Sequence, residues 1–219
     1  MIDLETHDAV RVLRWRDGEN RVHPDSMARF HDLLDELERT EGPLALVVTG
    51  EGKFFSNGLD LDRFGTAPEE LGPTVEALHR LFGRLLLFPA YTVAALNGHA
   101  FAAGAMLASV FDHRVMRAER GYWCLPEVDL GLPLTEPMTA AVTARLPRRA
   151  ADEAMLTGRR YAAAEALAAG IVDEAAPEDE VLARALSRAT AMAPKDRAVL
   201  AEHKRMLFGG AAAACGWSG

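Results

Sequence analysis

The chain has 219 residues, 49% hydrophobic and 26% charged, which suits one globular domain with a substantial core. Its 24 Lys and Arg against 32 Asp and Glu leave a net charge of −8, which argues against a nucleic acid or an anionic membrane as partner. Two cysteines, Cys124 and Cys215, make no metal or redox spacing, so a reduced, cytoplasmic protein is expected.

No apolar segment follows the first residues, so no signal peptide is expected, and the last four residues are not a peroxisomal address. Residues 10–15 alternate as an exposed strand would, and Asp17-Gly18-Glu19-Asn20 turns the chain. Met27, Phe30, Leu33, Leu34 and Leu37 recur at helical spacing and predict an amphipathic helix over 25–39. Gly42-Pro43 ends it, and residues 44–48 read as a strand buried on both faces. A helix over 73–88 and a buried strand over 92–96 repeat the plan. Asn97-Gly98-His99 then turns into an apolar helix over 100–111, too short to cross a bilayer, and 113–116 reads as a third strand. Alternating strands and helices argue for a parallel sheet with right-handed crossovers. Beyond Thr135 the pattern is helical and Ala-rich: 135–145, 149–156, 162–169, 178–192, and a last helix over 195–207 before Gly209-Gly210.

Several chemistries lack their residues. Gly50-Glu51-Gly52 follows a strand, but the third glycine position holds Phe55 and no helix opens there, so a dinucleotide site is not expected. The seven histidines show no metal-binding spacing, and no serine sits in a nucleophile elbow. The pairs Arg148-Arg149 and Arg159-Arg160 read as solvated helix ends.

Three stretches carry more. Phe54-Phe55-Ser56-Asn57-Gly58-Leu59-Asp60-Leu61 has the look of a hairpin turn with unusual apolar weight. Ala100, Ala102, Ala103, Gly104 and Ala105 leave a helix start with almost no side-chain bulk, suited either to tight packing or to amides left bare for an oxyanion. Glu127 follows Pro126 among Trp123, Leu125, Val128, Leu130 and Leu132. Such apolar neighbours should raise its pKa, as a general base for carbon acids requires.

Together, and in this order, these stretches resemble the crotonase superfamily of enoyl-CoA hydratases and isomerases, and 152–174 resembles that family's helix, Thr-Gly turn and Gly-Ile-Val. The resemblance runs from about Val10 to Val172. It implies an α/β fold: one crotonase-like domain with a ββα superhelix core over 1–134 and a C-terminal helical region over 135–219. It implies that the backbone N–H groups of Asn57 and Ala103 form an oxyanion hole, with Glu127 as the catalytic acid/base. Phe55, Leu59, Asp60 and Met106 are the implied substrate and CoA contacts, and Lys204 is a candidate for the CoA phosphate. A hydratase of the family has two glutamates; here Met106 stands at one of those positions, and Asp112 is too far along to substitute. The resemblance is nearest to the Δ3-Δ2 enoyl-CoA isomerases, with another acyl-CoA enzyme (hydratase or thioesterase) or an inactive acyl-CoA-binding protein as alternatives. It implies an acyl-CoA thioester as partner, no cofactor beyond the coenzyme A of the substrate, no metal, and a homotrimer or dimer of trimers. The early end of the chain leaves open how the acyl pocket is covered.

Overall fold

The structure is a computed structural model and describes residues 1–218. The chain opens with an antiparallel hairpin of β1 (Ile2–His7) and β2 (Val10–Trp15), turned at Asp8, whose φ is 51°. α1 (Pro24–Glu38) buries the five apolar residues of its predicted stripe, and His23 and Ser26 cap its start reciprocally. Three ββα units follow. The first is β3 (Ala45–Gly50), β4 (Phe54–Ser56), then α2 (Leu61–Thr66) and α3 (Leu71–Leu87), joined by a 3-10 turn at Pro68–Glu70. The second is β5 (Tyr91–Leu96), β6 (His99–Phe101) and α4 (Ala103–Ser109); the third is β7 (His113–Arg117), β8 (Trp123–Cys124) and α5 (Glu127–Leu130). α6 (Glu136–Thr143), α7 (Arg148–Thr157), α8 (Ala163–Ala168), β9 (Glu174–Ala176), α9 (Val181–Met192) and α10 (Arg197–Ala214) complete the chain.

The first strands of the three units enter a six-stranded sheet ordered β1-β2-β3-β5-β7-β9, parallel from β2 onward. The second strands form a small parallel sheet, β4-β6-β8. The repeated unit is therefore a superhelical turn, and the second strand of each turn feeds the loop or helix that builds one wall of a cleft. Alternate residues of the large sheet face two cores. Leu13, Trp15, Leu46, Val48 and Leu96 pack with α1 and α3, while Val12, Val47, Val93 and Val115 pack under Val181, Ala185 and Ala189 of α9.

Some sequence expectations change. β2 is not an exposed strand: it lies between β1 and β3 with both faces covered. The stretch around Asn57-Gly58 is no hairpin, because β4 pairs in parallel with β6 and α2 begins at Leu61. Residues 99–101 form a strand and α4 is correspondingly shorter. β9, unpredicted, adds to the large sheet beside β7. The last helix does not stop at Leu207 but continues through Gly209-Gly210 to Ala214. Its end docks on α3, where a Cβ on Gly83 would meet Trp217 Cβ at 2.6 Å and Ala212 O at 2.9 Å. Packing thus carries the helix past two residues of low helix propensity.

Candidate active site

A cleft of about 370 Å³ lies where the ββα units meet. Most of its wall is apolar: Leu61, Leu71, Val75, Met106, Leu132 and Met138 come from α2, α3, α4 and the chain around α6. Among the described residues Glu127 is the one acidic residue lining it.

Glu127 opens α5, directly after β8. Trp123 anchors β8, fully buried with its indole N–H donated to Ala105 O of α4 at 3.1 Å. The short α5 ends at Gly131, left-handed at φ 68°, and Leu132 N–H returns to Glu127 O at 2.9 Å. Glu127 is held among apolar groups, 8% exposed, and its Oε2 is buried without a hydrogen-bond partner among the described residues. Burial pushes its carboxyl above the usual range. A buried carboxyl oxygen with no protein partner is free to address a ligand.

Two backbone turns line the same cleft. On the loop after β4, Asn57 N–H donates to Glu19 O at 3.0 Å, Gly58 N–H to Ser56 Oγ at 3.3 Å and Asp60 N–H to Val22 O at 3.0 Å. Leu59 N–H has no partner among the described residues. The expectation for Asn57 is therefore corrected: its amide is occupied, its side chain also donates to Glu19 Oε2 at 2.8 Å, and the bare amide belongs to Leu59. On the second turn, Ala102 adopts φ 50°, ψ −123°, strained for a residue with a Cβ, and its N–H bonds Cys124 O. The turn leaves Ala103 N–H, at the start of α4, without a partner among the described residues. The two turns nearly touch: a Cβ on Gly58 would lie 3.4 Å from Ala103 N, and one on Gly104 would lie 2.4 Å from Ser56 O. Replacing Gly104 by Ala should push α4 off the β4 loop. The expected cost is about 1–3 kcal/mol, read as a lower unfolding midpoint, with a larger loss of catalytic rate than of stability.

Other expected contacts lie elsewhere. Phe55 is 1% exposed in the main core and does not reach the cleft. Asp60 caps α2, accepting from Arg63 N–H, and pairs with Arg21 on the outer side of the loop. Lys204 is buried, with Nζ 2.6 Å from Asp112 Oδ2 and 2.8 Å from Ala90 O, so it cannot serve a CoA phosphate. Leu59 and Met106 do line the cleft. Sequence reasoning missed Phe101, Cys124 and Arg160, which also line it.

Residues 8–212 match the family model for enoyl-CoA hydratase/isomerase. The chain belongs to the enoyl-CoA hydratase/isomerase family. It is 41% identical over 173 residues to the peroxisomal enoyl-CoA delta isomerase 2 of Arabidopsis thaliana, covering 75% of this chain and 72% of that protein. It is 40% identical over 167 residues to enoyl-CoA delta isomerase 3 of the same plant, covering 73% and 70%. Among solved structures, an enoyl-CoA hydratase from Mycobacterium marinum superposes with a TM-score of 0.88 at 28% identity, covering 98% of this chain and 94% of that one. Hydratases and isomerases of the enoyl-CoA hydratase/isomerase family thus share this architecture, and the acid/base groups in the cleft must separate them.

Proposed function

We propose that this protein is a Δ3-Δ2 enoyl-CoA isomerase, acting on an acyl-CoA thioester with Glu127 as its one proton carrier. The observation that carries this reading is a single buried carboxyl in a mostly apolar cleft that is also lined by two residues, Leu59 and Ala103, whose amides have no partner among the described residues. With the thioester oxygen between Leu59 N–H and Ala103 N–H, Glu127 as carboxylate takes a proton from C2 of a 3-enoyl thioester. The C–H electron pair forms the C1–C2 double bond of a dienolate in which C3–C4 is still double, and the carbonyl π pair moves onto the thioester oxygen as negative charge; the C2–C3 double bond forms when C4 is protonated and the carbonyl is restored. The amides stabilise that charge, and one such donor is worth about 2.7–4 kcal/mol in a transition state. Glu127, now protonated, returns the proton to C4, and the product is the 2-enoyl thioester. No water enters the balance.

Hydration needs a second group to hold and activate water, and Met106 supplies none. The experiment is to give the protein 3-enoyl-CoA and 2-enoyl-CoA separately. Migration of the double bond should exceed hydration by at least about 10²-fold, the size of a missing general base. Faster addition of water would reverse the assignment.

Assembly as a trimer and a cytoplasmic setting belong to the same reading. The exposed Val128, Leu130, Leu132 and Leu156 form apolar surface that assembly would cover, and both cysteines are free thiols. Among the described residues no helix is long and apolar enough to cross a membrane.

A further inference from the structure

Two consecutive residues of β8 grip the turn that carries Ala103. Before the turn, Cys124 O accepts the Ala102 N–H at 3.0 Å. After it, the Trp123 indole N–H is donated to Ala105 O at 3.1 Å. Between those two bonds stand Ala102, at φ 50° and ψ −123°, and the bare Ala103 N–H. A residue with a Cβ keeps such a conformation only where its surroundings over-determine it. Here the surroundings are β8.

The strand is itself fixed. Trp123 and Tyr161 exchange both backbone hydrogen bonds, at 3.0 and 2.9 Å, and their rings meet edge to face with centroids 6.1 Å apart. Ala100 N–H donates to Tyr122 O at 2.9 Å, which ties β6 to the start of β8. The indole is fully buried, so its N–H has no water to turn to. Past Cys124 the chain runs through Leu125 and Pro126 to Glu127 at the start of α5. One side chain therefore sets the proton carrier and one oxyanion donor in register.

We infer that Trp123 is a positioning residue for the isomerisation: its indole N–H holds the strained turn at Ala102, so that the Ala103 N–H stays on the thioester oxygen while Glu127 moves the proton. The inference rests on the isomerase reading. Filling the core would need only the ring of Trp123, whereas this role needs its N–H. Ala105 O keeps a second donor, the Ser109 hydroxyl at 2.8 Å. Removing the indole N–H thus strands no acceptor, and what it releases is the turn.

Trp123→Phe keeps an aromatic ring and removes the N–H. It should lower kcat for double-bond migration about tenfold, the size of one lost hydrogen bond, with KM within about twofold, because the contact acts on the enolate and not on the bound ground state. Ala102→Gly supplies the deciding arm. Glycine adopts φ 50°, ψ −123° without strain, so the turn no longer needs its clamp. Trp123→Phe/Ala102→Gly should recover most of the lost kcat, whereas a defect in core packing would persist in the double variant. A second readout is independent of turnover: the carbonyl stretch of a bound saturated acyl-CoA, by Raman difference spectroscopy. Wild type should lower that frequency relative to the free thioester, Trp123→Phe should give back part of the shift, and the double variant should restore it. Where Trp123→Phe does not fold, β-(3-benzothienyl)alanine in place of Trp123, which has the shape of the indole without its N–H, serves in every arm. A wild type that shifts the carbonyl but does not move the double bond would fault the isomerase reading alone. Unchanged kcat and carbonyl frequency in Trp123→Phe, a loss that Ala102→Gly leaves as it was, or an unshifted carbonyl in wild type would overturn the positioning role.

Discussion

Glu127→Gln is expected to lower kcat for double-bond migration by about 10²–10⁴-fold while leaving acyl-CoA affinity within a few-fold. The amide keeps the shape of the side chain but can neither take the C2 proton nor return one to C4. No neighbour can replace it. Among the described residues no other carboxyl lines the cleft, and Asp112 is bound to Thr92, Arg145 and Lys204. A variant that kept its rate, with binding intact, would remove Glu127 from the mechanism.

The pH dependence supplies a second readout of the same group. Burial raises the Glu127 pKa, and the base form is the reactive one. The acid limb of kcat/KM should therefore lie above 4.5, the ordinary carboxylate value, and should vanish from the residual rate of Glu127→Gln. Stability responds in the opposite sense. A carboxyl whose folded pKa is raised binds its proton more tightly in the native state, so its contribution is complete below the unfolded pKa and lost as pH rises through the folded one. Glu127→Gln should thus gain on wild type in denaturant midpoint as pH increases across that window. A stability difference flat in pH would mean that Glu127 is solvated as it is in the unfolded chain.

The positions legible in the sequence are those where local pattern and tertiary role agree. The 3.6-residue stripe of α1 and the apolar runs of β3 and β5 could be read because both faces, or one whole stripe, are buried. Glu127 stood out because a carboxyl between Trp123, Leu125 and Val128 conflicts with its surroundings. β1 was missed because Ile2, Leu4 and Thr6 alternate with charged residues, and its order comes from pairing with β2. β6 was hidden because its apolar residues run into those of α4. The choice between the amides of Asn57 and Leu59 was not local at all: it depends on the carbonyl of Glu19, nearly forty residues away. Nor could the sequence separate Arg159, which meets Glu153 and Glu165, from Arg160, which meets no carboxylate among the described residues and lines the cleft.

The second large effect is expected at Asp112. Its carboxylate is buried and receives Lys204 Nζ at 2.6 Å, Arg145, and both N–H and Oγ1–H of Thr92 at 2.8 and 3.0 Å. This cluster ties α10 to the loop before β5 and to the end of α6, and Phe208 of α10 stacks 4.0 Å from the Arg145 guanidinium. Removing one member of a buried ion cluster costs about 3–5 kcal/mol, because the partner charge stays buried without compensation. Asp112→Ala leaves two such cations, whereas Lys204→Met leaves a carboxylate still served by Arg145 and Thr92. Asp112→Ala should therefore be the more damaging, with a Tm lowered by roughly 6–20 °C at the usual 2–4 °C per kcal/mol for a chain of this size. The double variant Asp112→Ala/Lys204→Met should recover part of the loss, since it removes one stranded cation. Burial alone would raise the Asp112 pKa, but Lys204 and Arg145 outweigh it and hold the carboxyl below its usual range. Its stabilisation is then present above the unfolded pKa and lost as pH falls through the folded one. Asp112→Ala should approach wild type in strong acid and diverge from it as pH rises. Arg205–Glu202, exposed on the same helix, gives the control, because breaking an exposed pair costs about 1 kcal/mol or less. Equal losses at the two sites would mean that α10 is held by its apolar contacts and not by the buried charges.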